Sequence, residues 1–223
     1  MNLFVVGTDT EIGKTVVSAA LCSKLSGSGP VAYWKPVASG SLEGRDVEDV
    51  ARLSGQPALD ETYLMKEPLS PHLAARLEDR FVDPARLTAD YHRHVDGDRG
   101  RTLVIEGVGG IQVPLNDDGY LWTDWMVELG LPAVVVARTT LGTINHTLMT
   151  VECLRRRGVD VLGVLLNGPE NPENLKAIQR FGQVEILGHL PPLNPLDQAG
   201  LTRAAQDLDP EGRLAERLFG VSV

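Results

Sequence analysis

The sequence predicts an α/β fold, a mostly parallel sheet with helices on both faces. Short apolar runs at 3–6, 31–34, 103–105, 133–137 and 161–166 show no polar alternation, as expected of strands buried on both faces. Segments with apolar residues at helical spacing lie between them, and that alternation calls for parallel pairing through helical crossovers. With 223 residues and 43% hydrophobic content the chain can build one sizeable core, so a single domain over 1–223 is expected.

The first run leads into "GTDTEIGKT" at 7–15 and then into "TVVSAALCSKL", giving a strand, a loop and a helix in succession. A phosphate-binding loop places a glycine six residues before its lysine. Counting back from Lys14, that position is Thr8, and the glycine is displaced to Gly7. Gly13, Lys14 and Thr15 close the loop in the usual way, and the flanking strand and helix make the architecture that of a P-loop NTPase. Such a loop aims backbone N–H groups and the positive end of a helix at a polyphosphate. The Lys14 ammonium then neutralises the outer oxygens, and the Thr15 hydroxyl coordinates Mg2+.

The second run ends in "YWKPVASGS", which puts Lys35 at the carboxyl end of a strand, on the same rim as the P-loop. Two cations converging on a phosphoryl group would neutralise charge as it transfers; an exposed lysine at a strand end is the plainer alternative. Residues 39–83 are rich in Ser, Gly and Pro with only short helical pieces, the composition of substrate loops. Within them Asp46 opens "DVEDVARLSG", either as a metal-directed carboxylate or as an acidic residue favoured at a helix N-terminus. A helix with proline in its first turn follows from Pro84.

The third run, in "RTLVIEGVGGIQVPL", ends at Glu106, where a carboxylate would hold Mg2+ or its waters beside phosphates. Gly107, Gly109 and Gly110 then either let the backbone approach a ligand or make a tight turn. "TDWMVELG" and "INHTLMTVECLRRRG" read as crossover helices stopped by Gly130 and Gly158. "TTLGTINHTL" starts the second of these and offers N–H groups to an anion, while His146 inside it reads as a structural histidine. Asn167 in "LLNGP" follows the fifth run and either reads a base edge or starts a turn. "GRLAERLFG" is a short terminal helix.

Charge narrows the partners. With 21 Lys and Arg against 30 Asp and Glu, the net charge of -9 repels nucleic acid and anionic lipid, which favours a small-molecule ligand. Cys22 and Cys153 lie in helical patterns without metal-ligand spacing and read as buried, reduced thiols. The apolar runs are strand-sized and no basic leader precedes the first, so a cytoplasmic protein with no membrane association is expected.

Together "GTDTEIGKT", "KPVASGS", "EGVGG" and "LGTINH" resemble the dethiobiotin synthetase family over most of the chain. In that family the displaced glycine is the normal form of the P-loop. The resemblance implies a homodimeric ligase using ATP and Mg2+ to join CO2 to 7,8-diaminononanoate, closing the ureido ring of dethiobiotin in biotin biosynthesis. By the same resemblance Thr15, Asp46 and Glu106 form the Mg2+ set, and Lys14 and Lys35 clamp phosphate and carbamate. Thr10 and Glu11 lie beside the reacting groups, and Ser39 touches substrate. Gly13, Val16 and Gly109 line the nucleotide, and Asn167 and Pro191 hold adenine. Gly142, Thr143 and Asn145 receive the diamine's carboxylate across a subunit interface.

Two positions depart from the family pattern: Thr140 replaces a frequent lysine before "LG", and the loop at 191–197 matches loosely. Partitioning or septum-positioning ATPase switches share this fold class, but they carry a lysine five residues before the P-loop lysine, where this chain has Asp9. A related amidotransferase-type synthetase of corrin precursors needs a second domain, for which the length leaves little room.

Overall fold

The computed structural model describes residues 1–42 and 44–220. In chain order the elements are β1 Leu3–Gly7, α1 Lys14–Leu25, β2 Val31–Trp34, β3 Val37–Ala38, α2 Asp46–Ser54, β4 Ala58–Leu59, β5 Tyr63–Leu64, α3 Pro71–Leu77 and α4 Pro84–Gly97. They continue with β6 Thr102–Gly110, α5 Trp122–Leu129, β7 Ala133–Arg138, α6 Thr143–Arg156, β8 Val161–Asn167, α7 Pro172–Gly182, β9 Ile186–Leu190, α8 Gln198–Gln206 and α9 Arg213–Phe219. Seven strands form one sheet in the order β4-β2-β6-β1-β7-β8-β9, parallel throughout. β3 and β5 pair separately within the loop-rich region.

Every residue of β1 is buried because both faces are covered, and successive side chains divide between two cores. Phe4 and Val6 point to one core with Leu103, Ile105, Val135 and the aromatic cluster Trp34, Trp122 and Trp125. Leu3 and Val5 point to the other with Val104, Val134 and the buried sides of α1, α2, α8 and α9. Phe4 meets the edges of Trp122 and Trp125 with ring centroids 5.8 and 5.6 Å apart, which pins α5 to the centre of the sheet.

The chain leaves β1 for β2 on one side and reaches β7 on the other after β6 has inserted beside β1. The resulting crevice outside the carboxyl ends of β1, β6 and β7 is where open α/β sheets bind ligands. Beyond the short strands β3, β4 and β5, which the sequence did not mark, four details differ from the sequence expectation. β6 continues past Glu106 through the glycines to Gly110, so Glu106 stands inside a strand rather than ending it. β9 is a strand although "ILGHL" is short and only partly apolar; it gains its order from pairing with β8 at the sheet edge. α7, where Leu175, Ile178 and Phe181 recur at helical spacing, and α8 were not anticipated; Asn171 and Asp197 cap them by accepting from Asn174 N and Gly200 N. Cys153 is only half-buried, whereas Cys22 is fully buried as expected. Among the described residues no helix is long and apolar enough to cross a membrane.

Candidate active site

Lys14, Thr15, Lys35, Asp46 and Glu106 come from four separate elements or their ends and converge behind the P-loop. Thr15 Oγ1 donates to Asp46 Oδ1 at 2.5 Å and lies 3.3 Å from Glu106 Oε1. Lys35 Nζ bridges the two carboxylates, 2.6 Å from Asp46 Oδ2 and 3.0 Å from Glu106 Oε1. Glu106 is wholly buried, and its other oxygen accepts from Ser18 Oγ at 2.8 Å and Tyr33 Oη at 2.9 Å. A buried carboxylate is tolerated only when its oxygens are satisfied in this way. The charges are two cations and two anions, so the cluster is locally balanced.

Burial and neighbours set the two lysines apart. At Lys14, burial is the main influence, and Lys35's charge adds to it; against Glu106 and Asp46 they bring the ammonium down to about 8. At Lys35, burial also disfavours the charge, but the adjacent Glu106 and Asp46 carboxylates outweigh it and the group is held above the ordinary lysine value. Burial would raise Asp46, and the charge and hydrogen bond of Lys35 with the Thr15 hydroxyl overcome it, leaving the carboxyl low. Tyr33 is pushed well above the phenol range by burial and by Glu106, so it remains a hydrogen-bond donor.

The P-loop wraps tightly around Lys14. A methyl group at Gly7 would stand 2.8 Å from Asp9 O and 2.9 Å from Lys14 Cδ, which explains why a glycine is required at this displaced position. Gly13 has φ 84° and precedes α1 without a side-chain cap, leaving the first N–H groups of the helix directed at the loop. Lys14 Nζ rests on Asp9 O at 2.9 Å. Asn167 Nδ2 donates to Ile12 O at 2.9 Å, so this amide braces the loop from the end of β8.

An AAA domain family profile matches residues 1–200. The ATP-dependent dethiobiotin synthetase BioD of Paramagnetospirillum magneticum is 49% identical over 193 residues, 86% of this chain and 88% of that protein. The chain belongs to the dethiobiotin synthetase family. The synthetase of Afipia carboxidovorans is 44% identical over 206 residues, 91% of this chain and 93% of its own length. Among solved structures, the MinC:MinD cell division protein complex of Aquifex aeolicus aligns with a TM-score of 0.58 at 14% identity, over 100% of this chain and 96% of that one. A ParA family ATPase from Chlorobium tepidum aligns at 0.51 and 15% identity, over 96% and 94%. At such identities these two show a shared α/β fold with a parallel sheet and nothing more.

The other positions that the dethiobiotin synthetase resemblance singles out lie around this cluster at differing distances. Thr10 and Glu11 are exposed on the P-loop, with Glu11 at φ 54°. Gly109, at φ 59°, faces Thr10, since a methyl group on it would stand 4.0 Å from the Thr10 methyl. Val16 is half-buried in the first turn of α1, and Ser39 is half-buried just after β3. Pro191 is exposed directly after β9, beside Asn167, because Leu190 pairs with Asn167 in the sheet. Gly142 and Asn145 are exposed at the start of α6, whereas Thr143 is buried and its hydroxyl donates to Arg138 O at 2.5 Å. That hydroxyl is therefore occupied within the chain. His146 lines an open cavity of about 470 Å3 between α6, the P-loop residues Thr8 and Asp9, and the 110–112 segment, with its Nδ1 buried and unpaired.

Sequence reasoning missed Ser18, Tyr33 and Arg138. Ser18 follows Thr15 by three positions, hence on the same helical face, and its polarity within "VVSAAL" was the available signal. Tyr33 read simply as an apolar strand residue. Arg138 ends an apolar strand as Lys35 follows one, and its guanidinium Nη2 meets Asp9 Oδ2 at 2.6 Å.

Proposed function

We propose that this chain is an ATP- and Mg2+-dependent synthetase that inserts CO2 between the two amines of 7,8-diaminononanoate, giving dethiobiotin, ADP and phosphate. The observation that carries the proposal is the Lys35 ammonium shared between Asp46 and Glu106 immediately behind a P-loop lysine and threonine. Family membership supplies the chemistry that such a cluster would serve.

The donor set fits a small hard cation. Thr15, Asp46 and Glu106 offer oxygen only, and among the described residues there is no group of three His, Cys, Asp or Glu side chains forming a cage. Mg2+ is normally held by one or two carboxylates with waters and substrate phosphates, and when bound it neutralises charge on the nucleotide.

In this reading one amine attacks CO2 to form a carbamate, whose oxygen attacks the γ-phosphoryl group of ATP. The second amine then closes the ring as phosphate leaves. No covalent link to the protein is needed, so positioning and charge neutralisation carry most of the barrier reduction. Lys35, kept protonated by two carboxylates, acts as a fixed cation toward the carbamate and the transferring phosphoryl group. Lys14 leaves Asp9 O for the outer phosphate oxygens, and Asn167 and Pro191 border the base. Gly142, Thr143 and Asn145 border the diamine's carboxylate of a neighbouring subunit at the start of α6, with Thr143 N itself donating to Thr140 O at 3.2 Å. Leu141, just before α6, is 98% exposed and Met149 within α6 is also exposed, and this apolar surface would form the dimer contact. One domain and a cytoplasmic location belong to the same reading.

The direct test is ATP hydrolysis with and without diamine and bicarbonate. The synthetase requires both for turnover, and hydrolysis indifferent to them would refute the assignment.

A further inference from the structure

The last rung between β7 and β8 pairs Arg138 with Asn167, and both residues reach the P-loop. Asn167 holds one shoulder through Ile12 O. Arg138 holds the other through Asp9, with Nη2 2.6 Å from Oδ2. The second oxygen of Asp9 accepts the amide of Thr10 at 2.9 Å, and its main-chain carbonyl receives Lys14 Nζ. The conformation of Asp9 therefore fixes both the start of the loop and the resting place of its lysine. Asp9 is also an anion on a loop built to receive a polyphosphate, and in isolation it would repel one.

We propose that Arg138 is a positioning residue for nucleotide binding, which cancels the charge of Asp9 and orients the carbonyl that carries Lys14. The proposal deepens the reading of the chain as an ATP-dependent synthetase and rests on it. Arg138 acts through Asp9 and has no assigned contact with the reacting atoms. Its own carbonyl accepts the Thr143 hydroxyl, so the same residue ties the P-loop to the start of α6. Its Nε is buried and unpaired, which makes direct contact with a substrate carboxylate the competing role.

The two roles separate in a double-mutant cycle on the full-length enzyme. The Kd for ATP with Mg2+, without diamine, is measured by calorimetry for the wild type, Arg138→Gln, Asp9→Asn and the double variant. Thermal unfolding verifies that each is folded. Arg138→Gln is expected to weaken ATP binding about tenfold, and Asp9→Asn in that background to restore it to within about threefold, since close charge pairs couple by this order. Arg138→Lys, which keeps the charge, should fall between wild type and Arg138→Gln and serves if the glutamine variant does not fold.

A loss of packing alone would not be rescued by a second substitution. Unchanged ATP affinity in Arg138→Gln, or a double variant as weak as the single one, overturns the proposal. A rise confined to the KM for the diamine overturns it too and favours the carboxylate contact. Wild-type enzyme that binds ATP without diamine-dependent turnover would refute the synthetase reading and leave the Arg138 and Asp9 result standing.

Discussion

Lys14 and Lys35 are nearly equally buried, 6% and 8% exposed, yet the structure drives their acidities in opposite directions. Lys35 pairs with two carboxylates, whereas among the described residues the Lys14 ammonium hydrogen-bonds a main-chain carbonyl and no carboxylate. Burial alone therefore does not decide a lysine's charge; direct counter-charges do. The consequence is a division of labour. Lys35 is a permanent cation, suited to electrostatic stabilisation, and Lys14 is a cation completed by its ligand.

The largest effect is expected at Lys35. Lys35→Met should leave ATP binding nearly intact and cut turnover by about 10² or more, the loss typical of removing a preorganised donor to a transition state. Steady-state turnover beside calorimetric ATP binding checks it, and a variant of near-normal rate would remove Lys35 from the chemistry.

A smaller, pH-dependent effect is expected at Lys14. In the free enzyme this group loses its proton near pH 8, so kcat/KM for ATP should fall above that pH, approaching tenfold per unit for a single deprotonation. Bound phosphate favours the protonated amine, so kcat should stay flat to higher pH. The sign for stability is opposite. Lys14's folded value is depressed, so the cost of burying its charge is present below about pH 8 and disappears as the pH rises toward the ordinary lysine value. Lys35 lacks that window because its value is raised. A kcat/KM profile level through pH 9.5 would count against the contrast.

The smallest effect on turnover should come from Tyr33→Phe. It removes one of the hydrogen bonds to buried Glu106 and leaves those from Ser18 and Lys35. Urea unfolding should show a loss of about 1.5 kcal/mol, with turnover changed only a few-fold. A turnover loss as large as that of Lys35→Met would mean that Glu106 is held chiefly by Tyr33.

Much of this arrangement was legible in the chain. The doubly buried strands and the P-loop were readable because each depends on local pattern, apolar runs in one case and a glycine-lysine spacing in the other. Lys35 and Glu106 were readable as charged residues in or directly after such runs. β9 and α8 were not, because their order comes from pairing and docking, whereas α7 carries a helical signal in Leu175, Ile178 and Phe181. Ser18 and Tyr33 gave weak signals, since a lone polar group in an apolar segment becomes informative only when its partner is known. Asp46 stood open between a helix-terminal acid and a metal-directed carboxylate. Its contacts with Thr15 and Lys35 place it in the site, although it also begins α2.

By itself the sequence determined the α/β class, the parallel sheet and the loop at which a polyphosphate would dock, because these follow from short-range spacing along one segment. The tertiary structure alone decided that Lys35 lies between Asp46 and Glu106, that Lys14 rests on Asp9, and that Arg138 reaches Asp9 from 129 residues away. Those outcomes depend on strand order and register, which bring distant residues into hydrogen-bonding range, and at Lys35 on burial, which strengthens its pairing with Asp46 and Glu106.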